Sequence, residues 1–292
     1  MSLYELLGTL EIGFVFGLVA LGAFLTFRVL DFPDLTVEGS FPLGAAVCAA
    51  LIVTAGVNPW IATVIAAGAG FIAGWLTALL NVRFNILNIL AGILLAIALY
   101  SINLRIMGGP NQPLLGSPTV FGWLGEFGVP TFQLTPIFLG VMVAAILIAM
   151  NLFLRTGYGI QMRAAGANPA MAAAMGINVG RMKLFGLGIA NGLTALAGAL
   201  FAQIFGAADA YMGIGVIIVG LASVIVGTSI LPSRTILQAT IACIVGAVLY
   251  RFAVALSLNA GFLGLQASDV QLVTAVLVAL ALIAQRSGVG LG

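Results

Sequence analysis

The residues able to do chemistry in this chain are few, and they cluster. Four of its ten basic residues, Arg155, Arg163, Arg181 and Lys183, fall in one 29-residue stretch, R-T-G-Y-G-I-Q-M-R-A-A-G-A-N-P-A-M-A-A-A-M-G-I-N-V-G-R-M-K. Inside it, Asn168 followed by Pro169 reads as a helix start: asparagine accepts from the free N–H groups, and proline's fixed φ suits the first helical position. Gly176 suits the left-handed position just past a helix end. The A-M-A-A-A-M between them makes two turns with Met171 and Met175 on one face. So short a helix is marginal alone and needs something to pack against. Methionines on a small-residue surface suit insertion into a groove of another protein. The same helix could instead lie flat on a membrane.

A second cluster is acidic. Residues 30–40, L-D-F-P-D-L-T-V-E-G-S, carry three carboxylates with a proline and a glycine. Acids at membrane depth are costly and usually functional, so Asp34 and Glu38 could line a hinge or gate. In a simple cytoplasmic turn they would only be solvated. Asn88, Asn191, Gln203, Ser223, Thr228 and Gln271 are polar residues within apolar runs. Each could hydrogen-bond a substrate, and each could equally join helices, a contact worth only about 0.6–2 kcal/mol. Arg251 is an intramembrane charge that could pair with Asp209 or Asp269, or snorkel to an interface.

Other chemistries lack their residues. The chain has no histidine, so a zinc-protease H-E-x-x-H is impossible. There is no G-x-x-x-x-G-K-[ST] and no G-x-S-x-G. Cys48 and Cys243 both lie in apolar runs, which indicates neither a disulfide framework nor a metal site. An enzymatic role has no support, and no nucleic-acid partner is expected.

The elements that must position these groups follow from composition. The chain has 292 residues, 62% hydrophobic and 6% charged, whereas soluble domains are about a quarter charged. Its apolar runs are about 16 to 28 residues long, against roughly 20 for a bilayer span. They lack the alternation of barrel strands. The expectation is an all-α polytopic transmembrane bundle, residues 1–292 as one domain. About nine segments are expected: 7–27, 41–56, 59–80, 85–102, 135–154, 182–205, 213–230, 235–257 and 269–285. Segments 41–56 and 213–230 are short enough to be discontinuous helices, tolerated where backbone lines a cavity. With no basic residue before Arg28, the first run reads as a retained span.

Placing the basic stretch 155–183 in the cytoplasm, by the positive-inside rule, also puts Arg28, Arg83, Arg234 and Arg286 inside. Eight of ten cations then lie there. The N-terminus falls outside and the C-terminus inside. The loop 103–134 falls outside and is rich in glycine and proline. Its Phe121, Trp123 and Phe127 suit a membrane interface, a docking surface or a connector. Gly13/Gly17, Gly70/Gly74 and Gly188/Gly192 are small-xxx-small pairs that allow helices to approach closely.

Residues Arg163-Ala-Ala-Gly166-Ala-Asn168-Pro169 through Met175-Gly176-Ile177-Asn178, followed by the glycine-rich run Leu184–Phe205, resemble the cytoplasmic coupling segment of ABC-importer permeases. The family resembled is the branched-chain amino acid and ribose permease superfamily. Asp34-Leu35-Thr36-Val37-Glu38-Gly39-Ser40 is similar to its D-L-S-V-G-S element, with Glu38 as an addition. The N-terminus is shorter than in ribose-type permeases. Residues Phe27–Thr36 look closest to the subgroup paired with tryptophan/tyrosine-type binding proteins. The resemblance covers nearly the whole chain.

It implies a multi-pass protein of the bacterial inner membrane, in lipid, with a second permease subunit as a homodimer. It also implies a cytoplasmic ABC ATPase dimer, which carries ATP and Mg, and an external solute-binding protein. This chain itself would need no cofactor. The implied coupling residues are Arg163, Gly166, Asn168, Pro169, Met171, Met175 and Gly176. The candidates for a pathway for a small solute, an amino acid or related molecule, are Asp34, Glu38, Asn88 and Asn191. The alternative is an ion-coupled secondary transporter or channel working without an ATPase. It would need ionisable groups near mid-membrane, where the runs offer little beyond Arg251.

Overall fold

The computed structural model describes residues 3–127, 130–231 and 235–259, with positions 272, 275, 276 and 279. The expected segment 269–285, with Asp269, Gln271 and Arg286, lies outside the described residues apart from those four positions, and so does Arg234. The helices are α1 (Leu3–Ala23, continued by a π-helical turn Phe24–Val29), α2 (Val37–Val53), α3 (Pro59–Phe84), α4 (Asn88–Met107) and α5 (Thr131–Arg155). They continue with α6 (Gly157–Ala167), α7 (Pro169–Ala174), α8 (Val179–Phe205), α9 (Val216–Ile230) and α10 (Ile236–Asn259).

Among the described residues six helices are long and apolar enough to cross a bilayer: Leu3–Val29, Pro59–Phe84, Asn88–Met107, Thr131–Arg155, Val179–Phe205 and Ile236–Ser257. Of the nine expected segments, six are these long helices, two are the shorter helices α2 and α9, and the ninth falls outside the described residues apart from those four positions. The 17-residue α2 and 15-residue α9 are helical but short. At 1.5 Å per residue they reach roughly 25 Å and 22 Å, less than the ~30 Å hydrocarbon core. The expected loop 103–134 shrinks at both ends, because α4 runs on to Met107 and α5 begins at Thr131. Within it, strand β1 (Asn111–Pro113) pairs antiparallel with β2 (Ala207–Asp209).

The chain forms two compact units. One comprises residues 22–123 and 152–217. Its centre is α2, whose 17 residues include 12 that are buried. A helix apolar on every side belongs in a protein interior, and α2 packs on α3, α4 and α8. Close approach is obtained by omitting side chains. A Cβ on Gly44 would meet the Ala195 carbonyl, and one on Gly74 the Leu187 carbonyl. Asn58 caps α3 by accepting from Trp60 N–H at 2.9 Å, with Pro59 at the first helical position. In contrast, α3 and α4 expose Ile61, Val64, Ile72, Leu94 and Ile97, the surface expected of helices solvated by lipid.

The other unit comprises residues 1–21, 124–151 and 218–292. The same device recurs there. Gly13 packs on Val248 and Gly17 on Ile244, while Gly227 faces the Ala242 carbonyl and Gly246 that of Ser223. Asn151 Nδ2 donates to Thr240 Oγ1 at 2.7 Å. Arg251 lies 4.9 Å from the centre of the Phe16 ring.

Candidate functional site

Two groups of residues could carry function, and different features of the sequence build them. The first sits where α1 gives way to α2. Proline at 33 cannot donate a helical hydrogen bond, and Asp31 takes a left-handed φ of 51°. The chain therefore stays irregular until Val37. Asp34, fully buried, accepts from the Thr36 N–H at 2.9 Å and from Asn191 Nδ2 at 2.6 Å. Asn191 also donates to the Leu187 carbonyl and accepts from Ser40 Oγ at 2.7 Å. Thr36 and Thr77 hydroxyls lie 2.7 Å apart. A buried carboxylate is tolerated only when its oxygens are satisfied, and this network satisfies them. The reading of Asp34 as a solvated turn residue is thereby corrected.

The four expected pathway residues do not form one cluster. Asp34 and Asn191 are bonded partners. Glu38, in the first turn of α2, instead accepts from the Gly215 N–H at 3.3 Å. Asn88, the first residue of α4, accepts from Asn81 Nδ2 at 2.7 Å, and Asn81 Oδ1 accepts from Lys183 Nζ at 3.1 Å. Asn88 thus belongs to a polar tie among the ends of α3, α4 and α8.

A further polar centre escaped sequence reasoning. Gln203 Nε2 donates to Thr63 Oγ1 at 2.9 Å and lies 3.3 Å from Cys48 Sγ, while its Oε1 accepts from Val120 N–H at 2.9 Å. Gln203 was visible as a polar residue in a span, but nothing in the sequence named partners 140 and 83 positions away.

The second group is the basic stretch. The structure divides it into α6 and α7, bounded by Arg155 and Val179. The helix over 169–175 forms as expected, ending at Ala174 with Met175 as its cap. Asn168 Oδ1 accepts from Met171 N–H at 3.0 Å. At the far end Gly176 adopts φ 81°. Its N–H donates to Ala173 O and that of Ile177 to Ala172 O, both at 3.0 Å. This is a Schellman closure, which needs the left-handed residue that glycine supplies without strain. Ala172 is buried, whereas Met171 and Met175 are 62% and 75% exposed.

The 11-residue α6, capped by Thr156 Oγ1 accepting from Gly159 N–H, was not foreseen. Its glycine and alanine content gives no strong apolar stripe. It seats Gly166 so closely that a Cβ would meet the Val29 carbonyl, and it buries Met162. Arg163, partly buried, has an Nε with no hydrogen-bond partner among the described residues.

Spans joined by glycine contacts, a buried polar break between two helices and an exposed capped helix describe a transport protein better than a catalyst. The comparisons agree. Residues 6–285 match the family described as the branched-chain amino acid transport system/permease component. The chain is 39% identical over 265 residues to a tyrosine transport system permease protein of Clostridioides difficile, covering 90% of this chain and 85% of that one. It is 34% identical over 245 residues to an uncharacterized protein of Rickettsia prowazekii, covering 82% and 84%. Over 202 residues it is 30% identical to a protein of Methanocaldococcus jannaschii named as a probable branched-chain amino acid transport permease, covering 63% and 61%. No solved structure matches. With the match running across both compact units, the chain belongs to the family of permease components of branched-chain amino acid transport systems, membrane-spanning transport subunits rather than enzymes.

Proposed function

We propose that this chain is the translocation subunit of a binding-protein-dependent ABC importer for an amino acid or related small solute. A separate cytoplasmic ATPase dimer drives it, with ATP and Mg bound there, and α7 is where the energy enters. The observation that carries this reading is a six-residue helix capped at both ends that presents Met171 and Met175 outward. A helix that short needs support. Here Ala172 supplies the inner contact, and flexible thioethers are left for a groove on a partner. Asn168, Pro169 and Gly176 define the ends of α7, and Arg163 and Gly166 on the preceding α6 complete the coupling segment. One copy of α7 per chain calls for two permease chains against two ATPases.

Residues 1–292 act as one permease domain, multi-pass in the cell membrane, with the N-terminus outside and the C-terminus inside. An external solute-binding protein delivers to the face that carries β1 and β2. Asp34, Glu38, Asn88 and Asn191 border the route. The relative named for tyrosine transport supports an amino acid as the solute. In proteoliposomes holding the permease, its ATPase and its binding protein, Met175→Asp and Pro169→Gly should leave ATP hydrolysis running but uncouple it from uptake. Normal transport by both variants would refute the role of α7. Uptake by the chain alone on an ion gradient would refute the whole reading.

A further inference from the structure

We propose that a cavity at the start of α2 binds the ammonium end of an amphipathic amine through Glu38, with Tyr100 and Tyr211 receiving its apolar end. This rests on the permease reading and deepens it, because it places recognition of the solute's amine in the membrane subunit itself. The cavity measures about 280 Å³ and is lined by Glu38, Pro42, Ala96, Tyr100, Tyr211 and Ile214 among others. That is near the lower limit for small-molecule pockets and suits one small solute.

Its depth follows from α4. Ala96 lies near the middle of that 20-residue helix, roughly 12 Å from one end and 17 Å from the other at 1.5 Å per residue. Glu38, in the first turn of α2, therefore lies level with the middle of the span-length α4, at a depth where a charge is costly and calls for a partner. One oxygen accepts from Gly215 N–H at 3.3 Å. The other has no donor among the described residues, and no lysine or arginine there pairs with it. The α2 N-terminus favours an acid in its first turn, but that does not account for the space left beside it.

The walls fit an organic cation. Tyr100 Oη donates to Tyr211 Oη at 3.0 Å, and the ring centroids are 5.8 Å apart. Asp209 Oδ1 accepts from Tyr211 N–H at 2.7 Å and fixes the connector. Gly213 lets that connector press on α2, since a Cβ would meet the Glu38 carbonyl. The ammonium can be held by the Glu38 carboxylate, while the two tyrosine rings offer faces on which an apolar or aromatic end can pack. A hard metal ion needs six or more oxygens, which a single carboxylate and two phenols do not supply.

The test uses the full chain in lipid nanodiscs, with no ATPase or binding protein, and radiolabelled 2-phenylethylamine as the probe. Saturable binding is expected, displaced by L-tyrosine but not by 3-phenylpropionate, which lacks the ammonium. Glu38→Gln should weaken binding at least about 30-fold, the loss typical of removing one partner of a desolvated charge pair. Tyr211→Leu should weaken it less. Absent binding, equal displacement by 3-phenylpropionate, or unchanged affinity in a folded Glu38→Gln protein would each overturn the proposal. If Glu38→Gln fails to fold, the displacement pattern on the unmutated chain decides. Amine binding without ATP-driven uptake in the complete system would refute the importer reading alone. Uptake without amine binding would refute the cavity alone.

Discussion

Asn191 serves three partners at once, Asp34, Ser40 and the Leu187 carbonyl, and that explains an amide in the middle of an apolar helix. An aliphatic residue there would leave a buried carboxylate with only the Thr36 donors, a loss larger than that of one neutral hydrogen bond. Asn191→Leu should therefore destabilise the protein by about 3 kcal/mol, measured as the free energy of unfolding by SDS in mixed micelles. The double variant with Asp34→Asn should lose less than the two single losses added together, because no charge is left stranded. Additive losses would mean that Asp34 and Asn191 do not depend on each other. A neighbouring contact gives a second residue-scale expectation. Gly74→Val should cost at least about 2 kcal/mol through overpacking against α8. Gly68→Val should cost far less, since a Cβ there meets nothing within 4 Å.

At the level of elements, α7 shows what local sequence can specify. Asn168, Pro169 and Gly176 act through backbone groups a few residues away, so their roles could be read before any fold was known. Asn168→Ala removes the acceptor for Met171 N–H, worth about 1 kcal/mol at a helix start. Amide exchange across 169–176 should accelerate roughly fivefold while the unfolding midpoint stays fixed, as hydrogen–deuterium exchange mass spectrometry would report. A drop in the midpoint would mean that α7 supports the core and is not a separately ordered appendage. The long helices were legible for a similar reason, since an unbroken apolar run can satisfy its backbone in a membrane only as a helix. What stayed hidden was non-local. Asp34 finds Asn191 across 157 positions, and Tyr100 finds Tyr211 across 111. No periodicity encodes such pairs. α6 was missed because small residues carry its close packing and leave no apolar stripe. α2 was read as short, but its burial on every side became visible only with α3, α4 and α8 in place around it.

For the molecule as a whole, the role of α7 depends on which ends of the helices face the cytoplasm. The strand pair β1–β2 ties the end of α4 to the end of α8. At the opposite ends of those helices Lys183, Asn81 and Asn88 are joined. Gly166 of α6 meets Val29 at the finish of α1. Within this unit the ends therefore sort into two sets. The set that includes α7 carries Arg28, Arg83, Arg155, Arg163, Arg181 and Lys183, which the positive-inside rule assigns to the cytoplasm. Leu115, 88% exposed between β1 and α5, belongs to the opposite set. Cys48 and Cys243 are both buried, so a cysteine introduced at an exposed site should dominate labelling. In intact cells a membrane-impermeant maleimide should label Leu115→Cys at once and Met175→Cys only after the membrane is opened. The reverse pattern would put Met171 and Met175 on the side without ATP, beyond reach of any nucleotide-driven partner. The charge distribution would then have misassigned every loop together, since reversing one end of a chain of alternating spans reverses them all.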